Sequence, residues 1–246
     1  MSGLKPHQRL FTALDTTEVD GAVALAGQLK GAANGVKLGG VKLGKEFFTA
    51  NGPQGVARVS AVGLPVFLDL KFYDIPNTVA AAVRAALPLK PFMLNVHASG
   101  GAAMMKAAAE AAAQAGPERP LMLAVTVLTS MDAGDLSQTG VEGPVIDHVR
   151  RLAALAKDCG LDGVVCSARE AETLRKDLGP HFKLATPGIR PAWAALSGGG
   201  GQKRVMTPSQ ALAAGADYLV VGRPITASDN PAEAAARIVA ELGRFA

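Results

Sequence analysis

The sequence predicts an α/β protein whose 246 residues form one domain, a (β/α)8 TIM barrel spanning residues 1–246. Short apolar segments with many β-branched residues alternate with Ala-rich helical segments, and eight such pairs can be counted. Apolar strands separated by helices indicate a parallel sheet covered on its outer face. The length also fits, because single barrels of this class run to about 250 residues. An open doubly wound sheet is disfavoured, because TTEVDG (16–21) stands where its Gly-rich first turn would be.

The strands are predicted where short, mostly apolar segments are separated by helical ones. In chain order they are 9–15, 40–44, 65–72, 92–98, 121–129, 163–168, 182–188 and 218–224. Helices are predicted where apolar residues recur with helical spacing, or where alanine and methionine form a packing face. These segments are 20–30, 78–87, 101–116, 143–160, 208–216 and 230–244.

The composition excludes several classes of function. A formal net charge of +4 and an aromatic content of 4% do not favour nucleic-acid binding, which needs clustered basic residues and stacking platforms. The mild positive charge suits a small anionic substrate instead. No apolar run approaches the roughly 18 residues of a membrane helix, and the N-terminus lacks the apolar segment of a secretion signal. Cys159 and Cys166 match no zinc spacing, so we expect buried free thiols in a cytoplasmic protein.

Polar residues at the C-terminal ends of the predicted strands are the candidate site residues, because barrel enzymes carry their chemistry at that end. They are Asp15, Lys42, Asp69, Lys71, Asp74, His97, Thr129, Arg190 and Arg223. Of these, His97 is expected to be a hydrogen-bonding residue near the core, because the other histidines show no metal-ligand spacing with it.

The loops after strands seven and eight carry the features of a phosphate site. TPGIRP supplies Gly188 and Arg190, and VVGRPI supplies Gly222 and Arg223. Barrels frequently bind phosphate on these two loops. Glycine lets backbone N–H groups approach the ligand, and the planar guanidinium of arginine can donate two parallel hydrogen bonds. The pattern predicts a phosphorylated substrate without identifying it.

The third strand, FLDLKFYDIPNT (67–78), places charges of both signs in an otherwise apolar segment. Asp69 and Lys71 are two residues apart and therefore share a face. Lys42 ends the neighbouring strand, and Asp74 lies just past the end of this one, which gives an alternating array. Because buried ion pairs are costly, a purely structural use is disfavoured. Such an array can keep Lys71 protonated and set Asp69 against a leaving anionic group, which describes decarboxylation without a cofactor.

Six motifs in nearly the whole chain resemble the orotidine 5'-phosphate decarboxylase family. They are LDLKFYDIPNT, NVHASGGA, AVTVLTSM, LDGVVCSA, TPGIRP and VGRPIT. The resemblance implies that Asp15 binds a ribose hydroxyl and that Lys42 is the second-strand member of the array. It further implies that Asp69 faces the substrate carboxylate, and that Lys71 protonates C6 of the pyrimidine as carbon dioxide leaves. No cofactor and no metal are implied.

The resemblance also implies a homodimer in which Asp74 and Thr78 reach into the partner's site. Thr129 would lie in the substrate pocket, with Arg190, Gly222 and Arg223 at the phosphate. Gln202 would close over the substrate from a Gly-rich active-site loop at about 191–206. These roles are carried over from the family motifs onto the matching positions of this sequence.

The chain departs from the family pattern at two places. GVKLG occurs twice, so that Lys37 competes with Lys42 for the array; the longer flanking match LGKEFFTANGPQG favours Lys42. Four glycines precede Gln202, and a run of glycines gives a loop conformational freedom at an entropic cost.

Two other functions stay open. One is a magnesium-dependent sugar-phosphate decarboxylase or synthase that uses the same Asp-x-Lys-x-x-Asp residues with a carboxylate on the metal. The other is a non-catalytic phosphate-binding barrel. A metal requirement and the preferred substrate would separate the first from the leading hypothesis, and absence of turnover would indicate the second.

Overall fold

The computed structural model describes residues 3–31, 39–194 and 206–244. Within these residues, eight parallel strands close into a barrel in chain order, with β8 pairing with β1. The strands are β1 (Leu10–Ala13), β2 (Gly40–Gly44), β3 (Val66–Phe72), β4 (Met93–His97), β5 (Leu121–Val125), β6 (Gly163–Val165), β7 (Lys183–Thr186) and β8 (Tyr218–Val221). The (β/α)8 TIM barrel predicted from the sequence is confirmed.

Helices follow the strands and cover the outside of the barrel. They are α1 (Val19–Lys30), α2 (Lys45–Ser60), α3 (Pro76–Ala86), α4 (Gly101–Ala113), α5 (Ala133–Ser137), α6 (Val145–Asp158), α7 (Ala171–Leu178), α8 (Pro208–Ala213), α9 (Arg223–Thr226) and α10 (Pro231–Gly243). Their buried faces form one continuous apolar cluster with the outward side chains of the strands. This outer layer holds the barrel closed and leaves its C-terminal rim accessible.

Helices α2 and α7 fill two of the eight helical positions of the predicted barrel for which no bounds were predicted. In α2 the helix is interrupted at Gly52, whose φ is +59°, and Pro53 follows directly. Glycine at positive φ and proline are both signals that end a helix. The segment is therefore two short helical pieces separated by a kink at Gly52, which explains why its sequence does not read as one helix.

The observed strands all lie within the predicted segments, but most end earlier. The fifth strand, predicted at 121–129, ends at Val125, and the eighth, predicted at 218–224, ends at Val221. The surplus residues lie at the C-terminal rim, most of them on loops and two of them, Arg223 and Pro224, at the start of α9. The polar groups of the predicted site are therefore on these loops as well as on the strands.

The inward-facing side chains of the strands form a second, smaller core inside the barrel. Phe11 and Phe67 belong to it and are essentially fully buried. Because side chains of a strand alternate, the next inward positions toward the C-terminal rim are Ala13 on β1 and Asp69 on β3. The barrel thus has an apolar floor and a polar mouth, and β3 carries its first charge directly above a phenylalanine.

Two expectations from composition concern the cysteines and membrane-spanning helices. Cys159 and Cys166 are buried and form no disulfide. In residues 3–31, 39–194 and 206–244, no helix combines the length and the hydropathy needed to cross a bilayer.

Candidate active site

A cavity of about 600 Å³ opens at the C-terminal end of the barrel. Its floor is apolar, with Phe67, Val125 and Val220 among the lining residues. Most of the predicted site residues line its walls: Asp15, Lys42, Asp69, Lys71, Thr129, Gly188, Arg190, Gly222 and Arg223. A cleft of this size with convergent polar groups is the usual form of a small-molecule site.

Four charged groups form a connected chain along one side of the cavity. Lys42 Nζ lies 3.1 Å from Asp15 Oδ1 and 3.5 Å from Asp69 Oδ2. Lys71 Nζ donates a hydrogen bond to Asp69 Oδ1 at 2.6 Å. Asp69 is only 8% exposed, so its carboxylate is held between two ammonium groups away from bulk water. Negative and positive charges alternate from Asp15, just after β1, through Lys42 on β2 to Asp69 and Lys71 on β3.

The surroundings of Asp69 keep its carboxyl ionised. Burial by itself raises the pKa of this carboxyl, but the positive charges of Lys42 and Lys71 and the hydrogen bonds from Lys71 and Asn95 outweigh burial. The net result is a pKa below the usual value for aspartate. The carboxylate is therefore a fixed negative charge at neutral pH, suited to electrostatic work and unsuited to acting as an acid.

The backbone of β3 departs from a regular strand at Lys71. Its φ is +50°, a left-handed conformation that is uncommon for a residue with a side chain. The pairing with β4 shifts at the same place: Leu68 lies opposite Leu94, but Phe72 lies opposite Val96. Two more residues of β3 than of β4 lie between those pairs, so β3 bulges there. The sequence predicts a regular alternation, which does not anticipate this bulge.

Asn95 on β4 occupies the position opposite the bulge and was not among the predicted site residues. Its side-chain Nδ2 donates to Asp69 Oδ1 at 2.7 Å, and its Oδ1 accepts from the backbone N–H of Lys71 at 2.7 Å. The side chain is fully buried. The signal in the sequence is a single amide inside the apolar run FMLNVHA, because a buried amide requires partners. Its partners could not be identified without the fold.

The residues predicted to bind phosphate line the wall of the cavity opposite β3. In the closed strand order, β7 and β8 lie across the barrel from β3 and β4. Gly188 has a φ of +75°, the left-handed region in which glycine is favoured. Arg190 is fixed by its backbone N–H, which donates to the Met206 carbonyl at 2.9 Å. Thr129 reaches the same cavity from the loop after β5, and Arg223 reaches it from the first position of α9, just after β8.

The other predicted site residues lie outside the cavity or outside the described residues. Asp74 and Thr78 are exposed at the start of α3, and Asp74 Oδ1 accepts from the Ile75 backbone N–H at 2.6 Å. Among the described residues, Asp74 makes no ion pair with Lys71. Gln202, with positions 195–205 of the Gly-rich loop, and Lys37 lie outside the described residues.

His97 ends β4 beside the charged residues without joining them. It is half-buried, and its Nδ1 accepts a hydrogen bond from the Ser99 backbone N–H at 3.2 Å. Burial lowers the pKa of its imidazole, and the nearby charges of Lys45, Lys71 and His148 lower it further. Within the part of the chain that the structure describes, no three His, Cys, Asp or Glu side chains are grouped to hold a metal ion.

Comparison with known proteins gives one consistent result. Residues 8–238 match the model of the Orotidine 5'-phosphate decarboxylase / HUMPS family. The chain is 58% identical to the orotidine 5'-phosphate decarboxylase of Rhodospirillum rubrum, covering 95% of this chain and 93% of that protein. It is 55% identical to the enzyme of that name from Paramagnetospirillum magneticum, covering 95% and 98%.

A solved structure gives the same relationship in three dimensions. The crystal structure of orotidine 5'-phosphate decarboxylase from Lactobacillus acidophilus superimposes with a TM-score of 0.81 at 34% identity, covering 95% of this chain and 98% of that one. The fold, the strand-end residues and the full-length matches agree. The chain therefore belongs to the orotidine 5'-phosphate decarboxylase / HUMPS family.

Proposed function

We propose that this protein decarboxylates orotidine 5'-phosphate to UMP and carbon dioxide without a cofactor, as the last step of UMP synthesis in the cytoplasm. The observation that carries the proposal is the buried chain Lys42–Asp69–Lys71 facing two arginine-bearing loops across one cavity. The family and the names of the relatives support the same activity.

The charged chain supplies what loss of carbon dioxide requires. When the bond from C6 to the carboxylate breaks, its electron pair stays on C6 as a vinylic carbanion that the ring delocalises poorly. The ammonium of Lys71 stabilises this charge because it is already in place before reaction. A proton then passes from Lys71 Nζ to C6, which gives UMP, and Lys71 regains a proton from solvent.

Asp69 acts in this proposal as a fixed charge rather than as a proton carrier. Its Oδ1 accepts a hydrogen bond from Lys71 Nζ at 2.6 Å, and its Oδ2 pairs with Lys42 Nζ at 3.5 Å. It orients Lys71 and faces the position from which the substrate carboxylate departs. Asp15, held by Lys42 at 3.1 Å and exposed to the cavity, is placed to accept a hydrogen bond from a ribose hydroxyl.

The substrate phosphate is assigned to the opposite wall. Arg190 and Arg223 provide guanidinium donors, Gly222 provides a backbone without a side chain, and Thr129 adds a hydroxyl to the substrate pocket. We assign Gln202 to the same end of the substrate from the family motif. Binding the phosphate remote from C6 lets its interaction energy hold the pyrimidine against the charged chain.

We also propose a homodimer in which Asp74 and Thr78 complete the partner's site. Two large apolar side chains flank Asp74: Tyr73 is 62% exposed and Ile75 is 66% exposed. Apolar groups exposed beside a cavity are typical of a surface that another chain covers. Among the residues that the structure describes, the Asp74 side chain accepts from the Ile75 backbone N–H and does not line the cavity, which favours a role in the site of a second copy.

The experiment that tests the function is a spectrophotometric assay of purified protein with orotidine 5'-phosphate, with and without EDTA. We expect rapid loss of substrate absorbance, conversion to UMP and no effect of EDTA. Failure to convert this substrate, together with EDTA-sensitive activity on a sugar phosphate, would move Asp69 and Asp74 to metal binding and refute the proposal. Ligand binding without turnover of either substrate would indicate a non-catalytic barrel.

Replacing Arg223 by alanine should raise KM for orotidine 5'-phosphate by about 10- to 100-fold, because hydrogen bonds to charged groups contribute about 1.5–3 kcal/mol. Turnover should also fall, since the remote phosphate holds the pyrimidine in place. Steady-state kinetics measures both. Arg58→Ala is the matched control, because Arg58 pairs with Asp20 on the outer surface and its loss changes the net charge equally. Kinetics indistinguishable from this control would remove Arg223 from the phosphate site.

A further inference from the structure

The bulge in β3 and the side chain of Asn95 occur at one place. In a regular continuation of the ladder from Leu68 and Leu94, Asn95 would lie opposite Asp69. Instead β3 bulges through Lys71, and the Lys71 N–H points to the Asn95 side chain at 2.7 Å. A side-chain carbonyl therefore replaces the backbone acceptor that a regular strand pair would offer.

The side chain of Asn95 also binds the carboxylate of Asp69. Asn95 Nδ2 donates to Asp69 Oδ1 at 2.7 Å, the oxygen that also accepts from Lys71 Nζ at 2.6 Å. A primary amide has a donor and an acceptor on one short rigid plane. With both ends engaged and the side chain fully buried, Asn95 links the carboxylate of Asp69 to the backbone of Lys71.

We infer that Asn95 is a positioning residue for the decarboxylation: it holds Lys71 in its left-handed backbone conformation and Asp69 in register with it. The inference rests on the proposed function and deepens it by naming the residue that orients the proton donor. Left-handed backbone is unfavourable for lysine and persists only where the surroundings impose it.

Loss of the amide has a definite structural consequence. Without the Oδ1 acceptor, the Lys71 N–H is left to pair with β4 as in a regular ladder. In a regular ladder the Lys71 backbone would be extended rather than left-handed, which shifts the point from which its side chain starts and takes Nζ out of its present contact with Asp69. The phosphate residues lie on loops across the barrel and are not in contact with Asn95, so substrate affinity should survive.

The test compares Asn95→Ala and Asn95→Asp with the wild type and with Thr126→Val. Thr126 is a matched control because it is also buried in the barrel and its Oγ1 donates one hydrogen bond, to the Val165 carbonyl at 3.2 Å. Both Asn95 variants should lose about 100-fold in kcat, the scale of a misplaced catalytic group. KM and the affinity for UMP should change by less than about threefold, and Thr126→Val should keep its kcat despite a lower Tm.

A kcat within about threefold of wild type in both Asn95 variants, or a loss of kcat matched by Thr126→Val, would overturn the inference. Asn95→Asp covers the case in which Asn95→Ala does not fold, because it preserves shape and the acceptor for Lys71 while removing the donor to Asp69. A crystal structure of the folded variant supplies a readout independent of activity. In Asn95→Ala we expect Lys71 Nζ to move beyond the roughly 4 Å of an ion pair from Asp69, and in Asn95→Asp we expect Asp69 Oδ1 to move out of hydrogen-bond distance of residue 95, because two carboxylates cannot donate to each other. Unchanged geometry would refute the inference even if the wild type proved inactive on orotidine 5'-phosphate.

Discussion

Replacing Lys71 by alanine should lower kcat for orotidine 5'-phosphate by about 10⁴-fold or more, because one residue supplies both the proton and the positive charge next to the carbanion. The Lys71 ammonium lies 2.6 Å from the Asp69 carboxylate in the mouth of the barrel. After its removal, Lys42 is the remaining lysine paired with Asp69. The carbanion would then form beside the Asp69 carboxylate with no ammonium group next to C6.

The fold should tolerate this change. The Lys71 side chain is 25% exposed and lies at the mouth, above the apolar side chains that fill the barrel. The left-handed φ of Lys71 is no more unfavourable for alanine than for lysine. We therefore expect an unchanged circular dichroism spectrum and retained UMP binding, which together separate a chemical defect from unfolding.

Two further variants separate the loss of the proton donor from the loss of one positive charge. Lys71→Arg keeps the positive charge but replaces the ammonium by a guanidinium, which scarcely releases a proton. The kcat of Lys71→Arg should therefore also be severely reduced. Lys106→Ala removes an exposed lysine from α4 and should leave kcat unchanged, which controls for the loss of one positive charge. A kcat in Lys71→Ala within about tenfold of wild type would show that another group protonates C6.

Mixing inactive Asp74→Ala protein with inactive Lys71→Ala protein should restore activity, to about a quarter of the wild-type value after equal mixing and full subunit exchange. In a hybrid dimer, the chain with intact Lys71 receives intact Asp74 from its partner, so one of the two sites is complete. Half of the dimers are hybrids when subunits exchange at random, and half of their sites are complete.

The complementation assay needs proof that subunits exchange. Labelling one variant with a donor fluorophore and the other with an acceptor measures exchange while activity is followed in the same sample. A mixture of Lys71→Ala with Asp69→Ala is the matched control. Each of these residues belongs to the site of its own chain, so both sites of a hybrid dimer stay defective. Demonstrated exchange without recovery would place Asp74 outside the partner's site.

The fold could be predicted in most of its parts because the strands are apolar throughout and evenly separated by helices. Strand ends were placed too late. After Val125, Val127 and Leu128 are as apolar as the strand itself, and hydrophobicity cannot tell a paired residue from one that turns over the rim. The bounds of α2 could not be predicted because Gly52 and Pro53 interrupt the helix.

The charged residues of the site could be predicted for a similar reason. Asp69 and Lys71 are conspicuous in a buried strand, and Lys42 follows from the neighbouring strand. Asn95 could not be found in this way, because its role depends on the pairing of β3 with β4 at a bulge. Sequence spacing describes one strand at a time, whereas the bulge is a property of two.

The irregular pairing of β3 with β4 bears on attempts to transplant this chemistry into other barrels. A designer who copies Asp-x-Lys into a regular strand would place both side chains on one face but would leave the lysine backbone extended. The ammonium would then start from a different point and approach the carboxylate from a different direction than in this protein. A faithful graft should carry the two surplus residues of β3 together with an asparagine on the adjacent strand, so that the unit to be copied is a strand pair and not a three-letter motif.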